Sequence, residues 1–180
     1  MDSLMEVIKK RRSVRAYQDK PLPKKIIKDI LEAARYAPTA RNAQELEYRV
    51  VTNKTMMDKM SAAIGEGANA VGYRPGGAVI TTKFSAFHHA PLVIIIIAPK
   101  DNNWATADAA IAIDHVMLYA TSIGLGSCFI GMARLMAHDK ALMDELHIFE
   151  DRAIVGTVVC GYPNGWPEEK EKIQKAEFFE

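Results

Sequence analysis

Six consecutive apolar residues, Leu92-Val93-Ile94-Ile95-Ile96-Ile97, constrain this chain more than any other feature. Branching at Cβ restricts χ1 and favours extended backbone, and a run without polar alternation is stable only where both faces of the strand are covered. Continued to Ala98, the run is still far short of a bilayer span. It therefore predicts a central strand with a layer of structure on each side.

The rest of the chain supplies those layers. Ser3 and Glu6 form a capping-box pattern that opens a helix with Leu4, Val7 and Ile8 on its apolar face. Pro23 sits at a first-turn position of a second helix, carried by Ile26, Ile27, Ile30, Leu31 and Ala34 and stopped by Pro38. A loop covers residues 38–45, a short strand 48–52, and a helix 55–64 marked by Met56, Met57, Met60 and Ala63. Residues 65–90 mix glycines with Tyr73, Phe84, Phe87, His88 and His89 and read as a variable lid or insertion. A helix over 106–122, rich in small residues, is suited to close packing in the core or at an interface. Gly124-Leu125-Gly126 stops it, and a strand at 128–130, a helix at 139–146 and a strand at 154–160 follow. Strands and helices interleave without repeats, so the class is α+β or α/β, as one domain spanning 1–180.

With 180 residues and a net charge of +1, nothing in the overall charge favours nucleic acid or a membrane surface. Cys128 and Cys160 lie inside apolar runs and read as small core residues in a reducing compartment. The N-terminal stretch is polar and amphipathic, without a signal-peptide apolar segment, so a cytoplasmic location is expected.

Arg11-Arg12-Ser13-Val14-Arg15 sets three guanidinium groups and a hydroxyl where the first helix ends. Arginine forks onto phosphate oxygens, and this cluster suits a phosphate; the same charges would also serve a solvated turn at the negative end of a helix dipole. Gly124-Leu125-Gly126-Ser127-Cys128-Phe129 is not a dinucleotide fingerprint, because Phe129 stands where the third glycine belongs and a helix precedes the glycines. It can still bring backbone N–H groups against a flat ligand, and Gly131 permits close approach. His88-His89, read as strand, would point to opposite faces and lacks a third ligand at metal spacing, so no metal is expected. No Gly-x-Ser-x-Gly elbow supports a hydrolase.

The order of Arg11-Arg12-Ser13-Val14-Arg15, then Pro38-Thr39-Ala40-Arg41-Asn42-Ala43-Gln44, then residues 124–131, then Gly161-Tyr162-Pro163 resembles the nitroreductase family of FMN-dependent oxidoreductases. The resemblance covers nearly the whole chain and implies an α+β sandwich, a mostly antiparallel sheet flanked by helices, in a homodimer with one FMN at each of two interface sites. Carried over by position, Arg11 and Ser13 would bind the phosphate and ribityl end with Arg12 beside them, and Arg15 the pyrimidine edge near N1 and O2. Pro38, Thr39, Ala40 and Asn42 would reach the same flavin from the partner. Phe129, Ile130 and Gly131 would face the ring around N5. Lys83 is a further candidate for the pyrimidine edge, and Lys170 or Lys172 for the phosphate. The chain departs from the common family pattern at Ala40, Arg41 and Glu45-Leu46, and Asn164 to Glu169 intervene where many relatives carry a basic residue. The implied activity passes two electrons by a ping-pong cycle from NADH or NADPH to a small flat acceptor such as a nitroaromatic or quinone, with no catalytic side chain. The alternatives are a flavin-dependent dehalogenase, a flavin-fragmenting relative, or a non-catalytic flavin-binding sensor or storage protein.

Overall fold

The structure is a computed structural model that describes residues 3–73 and 84–179. Its frame is a four-stranded antiparallel sheet of order β1-β2-β4-β3, formed by β1 (Glu47–Val51), β2 (Leu92–Pro99), β3 (Gly126–Phe129) and β4 (Arg152–Gly161). The apolar run is β2, an inner strand, and each of its residues from Leu92 to Ala98 is buried. Because strand side chains alternate, Val93, Ile95 and Ile97 serve one core and Leu92, Ile94 and Ile96 the other.

Helices α2 (Lys24–Arg35) and α4 (Ala105–Ser122) cover the even-numbered face, through Ile30, Ala34, Ala109, Ala112, Ile113 and Val116. Helices α3 (Lys54–Ala70) and α5 (Lys140–Glu145), with a 3-10 segment Gly131–His138, cover the other. Helix α1 (Leu4–Lys10) opens on the capping box: the Ser3 hydroxyl accepts from Glu6 N–H, and the Glu6 carboxylate accepts from Ser3 N–H. Its apolar stripe is not core, since only Val7 is buried while Leu4, Met5 and Ile8 are exposed.

Four readings of the sequence need correction. Pro23 is the N-cap of α2, not a residue of its first turn. Helix α3 runs on to Ala70, so residues 65–70 are helical and Gly65 and Gly67 are buried. Gly67 is required there by packing: a Cβ would stand 2.2 Å from the Leu135 carbonyl oxygen of the 3-10 segment. Residues 131–138 form a 3-10 segment that went unrecognised. His88 and His89 are not strand residues but stand in a turn, both with positive φ (54° and 57°). The remainder of the 65–90 reading, including Lys83, falls partly on residues 74–83, outside the described residues.

Candidate functional site

Three motifs far apart in sequence meet along the edge of the sheet. Residues 13–18 thread between β3 and the turn after β4: Ser13 bridges Ser127 in parallel, Val14 N–H donates to Ser127 O at 2.9 Å, and Tyr17 bridges Pro163 antiparallel. Gln18 N–H donates to Tyr162 O and Asn164 N–H to Ala16 O, each at 2.9 Å. The glycines of the two later motifs make room for this thread. At Gly126 an added Cβ would come within 2.9 Å of three Val14 side-chain atoms, and at Gly161 it would meet Pro91 and Tyr17. Gly126 is therefore there for Val14, and packing rather than ligand approach explains that glycine.

This threading displays the arginines. Arg11 is the C-cap of α1 and half-buried, and Arg15 is exposed. Both lie near Cys128, whose thiol burial pushes up while Arg15, Arg11 and the Ser13 hydroxyl oppose the rise. Arg12 turns elsewhere: it donates to Lys9 O and Arg11 O, and it pairs with Glu169 at 3.1 Å. That pair ties down the exposed tail on which Lys170 and Lys172 lie. Cys160, fully buried, has its thiol raised to about 12 and is inert.

Beside Arg15 opens a cleft of about 790 Å³, within the usual range for small-molecule sites. Phe129, Ile130 and Gly131 of the sequence-predicted set line it; Phe84, His88, Arg134 and Thr157 line it too, and those were not placed there from sequence. Next to the cleft the sheet slips register between Ile96 and Ile97, where Ile154, Val155 and Gly156 face the opening. Burial first, then Arg15, then His89 lower the His88 pKa below its ordinary value.

The loop Pro38, Thr39, Ala40, Asn42 is somewhere else. It folds into a 3-10 turn, Ala40–Asn42, with Arg41, Asn42 and Gln44 at positive φ. Ala40 and Arg41 line a separate pocket with Asn102 and Trp104, so one chain does not bring this loop to Arg15. A residue that sequence reasoning missed holds the loop: Asp108, in the first turn of α4 and 4% exposed, accepts from Ala40 N–H at 2.9 Å. A lone acid in a small-residue helix carries no pattern that would have announced it.

The cleft fits the tricyclic ring and phosphate of FMN. It offers apolar walls, the cation Arg15 with Arg11 and Ser13 beside it in sequence, and a buried Thr157 hydroxyl without a partner among the described residues. Among the described residues no group of His, Cys, Asp and Glu could hold a metal, and no helix is long and apolar enough to cross a membrane.

Known proteins bear on this geometry. An FMN-bound nitroreductase from Bacteroides fragilis superposes with a TM-score of 0.84 at 31% identity, over 98% of this chain and 96% of that one. A protein of Archaeoglobus fulgidus, whose name gives NADH dehydrogenase/NAD(P)H nitroreductase as a provisional activity, is 29% identical over 91% of this chain and 87% of its own. The nitrobenzene nitroreductase of Ectopseudomonas oleovorans is 24% identical over 97% of this chain and 93% of its own. The family model for the nitroreductase family matches residues 8–162, from the first arginine motif through the Gly-Tyr turn that the thread joins. With fold, motif order and family model in agreement, this chain belongs to the nitroreductase family.

Proposed function

We propose that the protein is a homodimeric FMN-dependent oxidoreductase that moves two electrons from NADH or NADPH to a small flat acceptor, a nitroaromatic or quinone, by a ping-pong cycle. The observation that carries this reading is the threading of residues 13–18 onto β3, which brings Arg15 to a cleft lined by Phe129, Ile130 and Gly131. The Bacteroides fragilis relative with bound FMN supports it.

FMN, when bound, supplies hydride acceptance and donation at its N5. This chain's residues hold and bias it. Arg11 and Ser13 bind the phosphate, and Arg12 helps by anchoring through Glu169 the tail that carries Lys170 and Lys172. Arg15 would face the pyrimidine edge of bound FMN, where its charge would favour the negative charge that two-electron reduction leaves near N1. Phe129, Ile130 and Gly131 form the wall at N5, and Thr157 offers its unpaired hydroxyl. The partner's copy of the Pro38–Asn42 loop closes the site. For a nitroarene the balance is NAD(P)H + H⁺ + ArNO₂ → NAD(P)⁺ + ArNO + H₂O. No side chain is required as acid or base in this reading.

Reconstitution tests the reading. Apoprotein should take up FMN stoichiometrically and FAD poorly, because the site is shaped for a terminal monophosphate. Anaerobic NAD(P)H should then bleach the bound flavin and menadione restore its colour. Preference for FAD, or bound flavin that NAD(P)H cannot bleach, would sink it.

A further inference from the structure

Among the described residues, the lining of the main cleft contains no aspartate or glutamate. Its described charged residues are Arg15 and Arg134. Arg15 belongs to the flavin reading above. Arg134 does not, and nothing in the protein occupies it: among the described residues it has no hydrogen bond and no ion pair. Residues 74–83, which join the cleft residues Tyr73 and Phe84, contain no acid that could pair with it. Arg35, Arg49 and Arg152, by contrast, each have a carboxylate.

Its position is set by packing. Arg134 stands on the 3-10 segment Gly131–His138, and that segment is seated against α3 where Gly67 lets the Leu135 carbonyl come close. The nearby Glu66 of α3 lies 3.9 Å from His138. The cleft that Arg134 lines also carries the apolar residues Val71, Phe84, Phe129, Met132 and Leu135. A free cation next to apolar walls, in a cleft without acid, complements an aromatic ring that carries an anionic group.

We propose that Arg134 is the anion subsite of this cleft, binding the carboxylate or phosphate of a flat aromatic substrate while the ring lies against the apolar wall. The inference rests on the flavin reading for which substrate is meant, and not for the binding itself. Two substrates of that reading share the chemistry: an acceptor such as an aryl carboxylate, and the pyridine nucleotide donor.

Holoenzyme and its Arg134→Gln and Arg134→Lys variants are titrated with benzoate and with benzamide, followed by calorimetry and by the flavin spectrum. Wild type should bind benzoate more tightly than benzamide. Arg134→Gln should weaken benzoate about tenfold, the scale of one charge-assisted contact, and leave benzamide unchanged, with Arg134→Lys intermediate. Half-reactions then name the source: 4-nitrobenzoate against nitrobenzene reads the acceptor, and NADH against neutral 1-benzyl-1,4-dihydronicotinamide reads the donor. A loss confined to the charged member of one pair supports the proposal and identifies its ligand. No preference for benzoate in wild type, an unchanged benzoate constant in Arg134→Gln, or equal losses on charged and neutral probes would overturn it. If the purified protein takes up no flavin, the reading of its function fails, and the calorimetric comparison still decides the role of Arg134.

Discussion

Arg11, Arg12 and Arg15 are the same residue type within five positions, yet the structure gives them different surroundings. Arg12 is committed to the end of α1 and to Glu169, Arg11 caps the helix, and Arg15 opens onto the cleft. Their loss should therefore differ in kind. Arg11→Ala should weaken FMN binding, since a charge-assisted phosphate contact is worth about 1.5–3 kcal/mol. Arg15→Ala should retain FMN but lower its midpoint potential by the order of 30 mV, the two-electron equivalent of about 1.4 kcal/mol, because the negative charge near N1 loses its counterion. Redox titration of the bound flavin beside a binding isotherm separates the two. An unchanged potential in Arg15→Ala would remove it from the pyrimidine edge.

Elements were legible from sequence where local pattern and tertiary fate agree. The branched run of β2 and the capping box of α1 are such places. Helix α3 is the opposite case. Gly65 and Gly67 carry the local signal of a loop, and only a contact with residues some seventy positions away makes helix there. The 3-10 segment Gly131–His138 was hidden for a similar reason, its buried Ala133 and Met136 being too few to reveal a period of three. Asp108 was illegible because its partner is a backbone N–H, which leaves no trace in sequence. Gly67→Ala tests the account of α3. In an unobstructed helix Ala would stabilise by about 1 kcal/mol. Here the Cβ meets backbone that cannot rotate away, and overpacking of about 1–3 kcal/mol opposes the gain. Net destabilisation of up to about 2 kcal/mol is expected in a urea midpoint, and a stabilised variant would show that the two elements are not in such close contact.

At the scale of the whole molecule, the proposed function divides the flavin site between two regions that one chain does not bring together. The cleft with Arg15 and the loop braced by Asp108 line separate pockets. Apolar surface suited to a second copy is also present. Leu4, Met5 and Ile8 of α1 are exposed, and Ala107, Ala110 and Ile111 form an exposed stripe along α4, although that helix also packs the core. A two-fold axis on this surface would use each patch twice, so one substitution counts twice. Ile111→Asp then removes about 1.5 kcal/mol or more of apolar burial from each side, about 3 kcal/mol together, which weakens dimerisation roughly a hundredfold. Because each flavin would need the partner's loop, FMN affinity should fall in step with dimerisation. Light scattering and flavin fluorescence followed together on dilution should give coincident midpoints for wild type, both shifted to higher protein concentration in Ile111→Asp. An Ile111→Asp monomer that keeps stoichiometric FMN and full reductase activity would place the complete site within a single chain.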